Sequence, residues 1–293
     1  MSRVSPKVLA LLGALTVVWG TNWPLFRIAL DELPVWTFRT IVMSVAVLML
    51  TAILVIRRES FAVPKGKWPV LIAASLMNVG VWNIATSLAV LYIPSGHASV
   101  LAYTMPLWVA LLGFVVFGQR LTPRLLAAIA IGAAAVVALM APNFRDYAQA
   151  PWGLFWGLLA GFCWAVGTFI VKRTSWPGMG LSLTFWQVIL CLPPIALGML
   201  VIDGLPTHWP SARALTATIY TGAIPMALGT ATWFALVKLL PAQVAALSSI
   251  AIPIVAIVSG ILILHEPLSA LQAVAIASTV ISLWLALVPG RRG

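Results

Sequence analysis

The sequence predicts an all-α polytopic membrane protein of ten transmembrane helices, arranged as two five-helix repeats of inverted topology with both termini cytoplasmic. Three observations carry that expectation. Hydrophobic residues make up 62% of the 293-residue chain and charged residues 8%, with a mean hydropathy of +1.08, a balance that a water-soluble domain of this length does not tolerate. Basic residues collect at alternate loops, and the second half of the chain repeats features of the first.

The windows of about 20 apolar residues that a bilayer requires fall roughly at 7–30, 35–56, 68–92, 96–118, 123–141, 152–172, 180–202, 212–238, 241–264 and 268–289. Segments of alternating polarity such as a membrane barrel needs are absent, so helices must satisfy the backbone in lipid. The first window follows Arg3 and Lys7, like a signal peptide. It is longer than an h-region, and Pro24 rather than a small-residue cleavage site interrupts it, so it is kept as a helix. The fourth contains YTMPLWVALLGF, Tyr103–Phe114, in which Pro106 removes a helix hydrogen bond and crowds the preceding turn. The sixth carries a small-residue stripe, Gly153, Gly157 and Gly161, which allows close helix approach and serves internal packing more often than dimerisation. Cys163 and Cys191 lie inside windows without metal or redox spacing and read as buried thiols.

With a cytoplasmic N-terminus, the inner loops gather Arg3, Lys7, Arg57, Arg58, Lys65, Lys67, Arg120, Arg124, Lys172, Arg173, Lys238, Arg291 and Arg292, while Arg27, Arg145 and Arg213 lie outside. This is the positive-inside asymmetry. The acidic residues fall the other way: Asp31, Glu32, Asp146, Asp203 and Glu266 are outside and Glu59 is inside. The net charge of +11 therefore reads as topology and not as nucleic-acid binding.

Ala98–Pro142 and Ala245–Pro289 align without gaps at an offset of 147 residues, Pro106 falling on Pro253 and Gly113 on Gly260. At nearly the same offset Trp19 meets Trp164 and Arg27 meets Lys172. The halves are expected to be 1–146 and 147–293. Five crossings per copy turn the second copy upside down, the arrangement of transporters that bind solute near the midplane between halves. Pro24, Pro106 and Pro253 are expected to kink helices or act in gating, the alternative being packing geometry alone.

The runs LPVWTFRTIVMSVAVLML, YIPSGHASVLAYTMPLW, LLPAQVAALSSIAIPIV and LHEPLS resemble the drug/metabolite transporter superfamily, in its EamA type, and the resemblance covers essentially the whole chain. Length, tryptophan-rich helices and the RRG ending are most similar to the YddG-type aromatic amino-acid exporters. The resemblance implies an inner-membrane protein that exports amino acids or related metabolites. One departure is Gln119, where the first repeat often carries the glutamate that Glu266 supplies in the second.

For a solute cavity, the expected wall is Trp19, Asn22, Asn78, Trp82, Tyr103, Trp164, Trp233 and Ser248. Trp19 with Asn22, and Asn78 with Trp82, share helix faces by spacing. Aromatic walls with neutral amides and hydroxyls suit a compact zwitterion, although any of these tryptophans could instead anchor or fill its helix. Trp108 and Trp284 are assigned to that second class. No Asp or Glu falls inside a window, which argues against carboxylate-coupled antiport. Arg39 matches the arginine in the second helix of the family that the chain resembles, and the resemblance implies that it meets a substrate carboxylate near the outer end; the alternative is that it snorkels or bonds helix-end carbonyls. His97 is expected either to relay protons or to settle at a helix end. No catalytic residues, metal ligands or cofactors are expected. The partners expected are a small-molecule substrate, amino acids above all, and membrane lipid, with no nucleic acid and a monomeric assembly. Export of another metabolite or a drug-like compound is the alternative, and an integral membrane enzyme a more distant one.

Overall fold

A computed structural model describes residues 6–118, 123–140, 151–205, 208–233, 242–268 and 270–287. They are helical, with no strand among the described residues, and a helix occupies each predicted window. In chain order these are α1 (Pro6–Leu30), α2 (Val35–Ile56), α3 (Trp68–Tyr92), α4 (Ser95–Ala102), α5 (Met105–Phe117), α6 (Pro123–Met140), α7 (Trp152–Arg173) and α8 (Leu181–Asp203). They continue with α9, which opens as Ala212–Thr221, then α10 (Ala242–Leu264) and α11 (Ala270–Leu287). Among the described residues α2, α3, the α4–α5 run Ser95–Val116, α7 and α8 are each long and apolar enough to cross a bilayer.

The bundle is built inside out relative to a soluble protein. Large aliphatic side chains such as Leu48, Ile56, Val201 and Leu262 are exposed, whereas Ala46, Ala85, Ala98, Ser75, Ser87 and Ser99 are fully buried. Lipid offers no hydrophobic drive between helices, so close packing through small residues takes its place. Gly20 of α1 lies against Val255 of α10, Gly157 of α7 against Leu101, and Gly161 against the Ala102 carbonyl and Thr104. The sixth-window glycine stripe therefore packs internally, Gly153 on Tyr92 and Ile93 at the end of α3 and the other two on the fourth span.

Helices of one half pack mainly on helices of the other, and they do so reciprocally. The first helix of the first half, α1, packs on α9 and α10, and α7, first of the second half, packs on α3, α4 and α5. α2 packs on α8, and α6 on α11. Exchanging the halves maps this set of contacts onto itself.

The acidic side chains explain how helix starts are satisfied. The first turn of a helix leaves N–H groups unpaired and carries partial positive charge. Glu32 accepts from the Ser211 N–H and hydroxyl, both at 2.6 Å, at the start of α9. Asp203 accepts from the Thr37 N–H (2.7 Å) and hydroxyl (2.9 Å) in the first turn of α2. Glu266 accepts from the N–H of Ser95 (2.8 Å) and Gly96 (3.3 Å) at the start of α4. Glu59 accepts from the Leu181 N–H at 3.4 Å, opening α8. Each of these contacts joins one half to the other. Asp31 pairs with Arg27 at 3.0 Å, and Asp146 lies outside the described residues, as does Gln119, the neutral counterpart of Glu266.

The prolines behave differently from their expected equivalence. The fourth span breaks at Tyr103 and Thr104, and Pro106 enters the first turn of α5, where a missing N–H costs nothing. Gly118 ends α5 in the left-handed conformation (φ 61°), which glycine adopts without strain. Pro253 instead sits inside the unbroken α10, and Pro24 inside α1.

Candidate functional site

Two helices lose their regular α-geometry midway. Leu76–Val81 within α3 and Gly222–Gly229 within α9 are π-helical. The 147-residue offset carries the first segment to 223–228, inside the second, so the two π segments stand at equivalent positions of the sequence repeat. A π-turn widens the hydrogen-bonded loop by one residue and recurs at functional sites. Asn78 and Val79 from one segment, and Pro225 and Met226 from the other, face a shared cavity of about 100 Å³ at the centre of the bundle.

Two tryptophan pairs flank the cavity. Trp82 of α3 meets Trp164 of α7 at 4.7 Å between ring centres, and Trp19 of α1 meets Trp233 beyond the π segment of α9 at 5.5 Å. Each pair joins the first helix of one half to the third helix of the other, which is the reciprocal packing seen at side-chain level. The Trp19 indole N–H is spent on the Pro225 carbonyl at 3.1 Å. Tyr103, at the break between α4 and α5, stands edge-on between Trp23 and Trp82, 6.3 Å from each.

The polar groups are mostly neutral and mostly engaged. Asn22 accepts from the Thr221 hydroxyl at 2.9 Å, and Asn78 donates to Gln187 at 3.2 Å. The Asn78 carbonyl oxygen is buried without a partner, pressed onto the backbone of Gly167, where a Cβ would overlap it. Arg39 is the cation. Its Nε donates to Ser87 (2.6 Å), one terminal nitrogen to Asn83 (2.8 Å) and the other to Thr86 (3.1 Å), and its Cζ lies 4.2 Å from the centre of the Phe26 ring and 4.8 Å from that of Phe38.

Of the residues the sequence nominates, Trp19, Asn22, Asn78, Trp82, Tyr103, Trp164, Trp233 and Arg39 line the cavity. Ser248 has a side chain outside the described residues. Pro24, Pro106 and Pro253 are not on its wall, and neither is His97, which is buried at the start of α4 near Glu266. Arg39 does not snorkel and does not bond helix-end carbonyls; side-chain oxygens of α3 hold it inside. Sequence reasoning missed Trp23, Phe26 and Thr221. The first two were within reach, since Trp19, Asn22, Trp23 and Phe26 follow the i, i+3, i+4, i+7 pattern of one helix face.

A lipid-facing helical bundle around a cavity with aromatic and polar walls is the build of a multi-pass membrane transporter. The chain belongs to the EamA-like transporter family, whose profile matches twice, over residues 6–141 and 151–288. It is 27% identical to the uncharacterized transporter YvbV of Bacillus subtilis, across 88% of this chain and 84% of that one. It is also 27% identical to a probable amino-acid metabolite efflux pump of Escherichia coli (93% and 91% covered). A probable terminal-alkyne amino-acid exporter of Streptantibioticus cattleyicolor is 28% identical (90% and 87% covered). A crystal structure of a protein 20% identical superposes with a TM-score of 0.67 over 96% of this chain and 95% of the other, a likeness of fold.

Proposed function

We propose that this protein is a secondary transporter that exports neutral amino acids, aromatic ones included, and related metabolites by alternating access through the central cavity. Ten helices cross a bacterial inner membrane as two inverted halves, 1–146 and 147–293, with both termini in the cytoplasm. The observation that carries the reading is the cavity itself: five tryptophans and a tyrosine around amides and a guanidinium, a surface suited to a zwitterion with an apolar side chain. The reciprocal packing of the halves supports alternating access about a central site. Two relatives named for amino-acid efflux or export support the substrate class. Five of the six carboxylates cap helices or pair at helix ends, which favours transport down the solute gradient over coupling through an intramembrane acid. Pro24, Pro106 and Pro253 act as hinges away from the wall, and His97 serves the start of α4.

Counterflow in proteoliposomes tests this. Vesicles preloaded with unlabelled neutral amino acids should take up a labelled one without a pH gradient. Uptake that requires the gradient would return His97 to a coupling role, and silence across the amino-acid panel would move the substrate to another metabolite or drug-like class.

A further inference from the structure

We propose that Arg39 is the anion anchor of the cavity, its guanidinium receiving the carboxylate of the transported solute; this rests on reading the cavity as the solute site. Arg39 is 1% exposed, and arginine holds its charge when buried. A buried cation ordinarily requires an anion within ion-pair reach. Among the described residues none supplies it: Glu32, Glu59, Asp203 and Glu266 cap helices across the halves, and Asp31 pairs with Arg27.

What surrounds the guanidinium orients it without neutralising it. Ser87, Asn83 and Thr86 contribute neutral oxygens, and the Phe26 and Phe38 rings contribute their faces. The oxygens are themselves fixed. The Asn83 amide nitrogen donates to the Val79 carbonyl at 2.8 Å, so its oxygen must face Arg39, and the Thr86 hydroxyl donates to the Trp82 carbonyl at 2.9 Å. A guanidinium carries five N–H donors, and three are taken, which leaves two. Arg39, Asn83 and Phe26 all form the cavity wall. A carboxylate brings both the missing charge and paired acceptors for a forked donor.

Among the described residues the other half has nothing equivalent. The 147-residue offset takes Arg39 to Trp186, whose indole donates to the Phe61 carbonyl at 2.7 Å, and Trp186 is not on the cavity wall. The cavity therefore has one charged end, toward α2 and the second half of α3. Solutes bind with the carboxylate at that end, and the same molecules with the carboxylate amidated or removed are rejected.

The test uses purified full-length protein and four probes: phenylalanine, phenylalaninamide, 3-phenylpropionate and phenethylamine. Binding is read by thermal shift and exchange by counterflow. Phenylalanine and 3-phenylpropionate should bind at least about tenfold more tightly than the amide and the amine. Asn83→Asp would set an internal carboxylate beside the guanidinium. It should abolish that preference while keeping the fold, and it serves where Arg39→Gln does not fold. Arg39→Lys should keep the preference at reduced strength. Equal binding of phenylalanine and its amide to the native protein, or a preference that survives Asn83→Asp, overturns the anchor even if amino acids exchange. Conversely, Arg39-dependent binding of 3-phenylpropionate without amino-acid exchange sustains the anchor and removes the amino-acid reading.

Discussion

Gly167 shows how much of the site depends on an absent atom. A Cβ there would overlap the Asn78 side chain and lie 2.9 Å from its backbone nitrogen, and α3 is also packed against α8. Gly167→Ala should lower stability by about 1–3 kcal/mol, as overpacking does, and displace Asn78 from the cavity; apparent Tm and counterflow on the same preparation check both. Trp164→Ala removes one partner of the Trp82 pair and should cut transport at least about tenfold with expression unchanged, an aromatic pair and a stacking surface being lost together. Normal transport in that variant would return Trp164 to a packing role. At this scale the sequence was legible where a polar or aromatic side chain interrupted an apolar run, as at Asn22 and Trp82. At Arg39 the sequence left two readings open, a substrate carboxylate or a helix-end role, because what holds a guanidinium inside a bundle is the face that α3 presents, and a π-turn resets that face.

The helices illustrate which features hydropathy can register. Length and apolarity located α2, α3, α7 and α8 to within a residue or two, since a bilayer imposes both. Hydropathy is blind to an i→i+5 bond, so the π segments at Leu76–Val81 and Gly222–Gly229 left only Pro225 and the glycines around it as a trace. The aligned prolines suggested matching kinks, yet Pro106 opens a helix and Pro253 sits within one. Pro106→Ala should accordingly leave thermal stability nearly unchanged while altering transport rate, because no helix bond is regained at that position. Helix starts also tie stability to pH. The Ser211 hydroxyl and backbone N–H, donating to Glu32, hold its exposed carboxyl below the ordinary 4.5. A group that is the stronger acid when folded contributes stability above its unfolded pKa and loses it as pH falls through the folded one. The native protein should thus melt above Glu32→Gln at pH 7, and the difference should shrink below pH 4.5 and then vanish.

At the scale of the molecule, the repeat was visible as an offset in sequence, but the swap of partners was not. Nothing in a linear pattern says that α1 prefers α9 and α10 to its own neighbours. The reciprocal packing predicts that chains 1–146 and 147–293 will each be unstable alone and will reassemble when expressed together, read by co-purification and recovery of counterflow. Either chain accumulating as a stable, monodisperse protein by itself would contradict it. The same arrangement bears on biogenesis. Glu32 and Glu59 cap helices made after them, but α2 and α4 wait for Asp203 and Glu266, which leave the ribosome more than a hundred residues later. Until then two early helices sit in the bilayer with bare amide ends, so a nascent chain carries its own mark of incompleteness, and the last loop to be translated erases it.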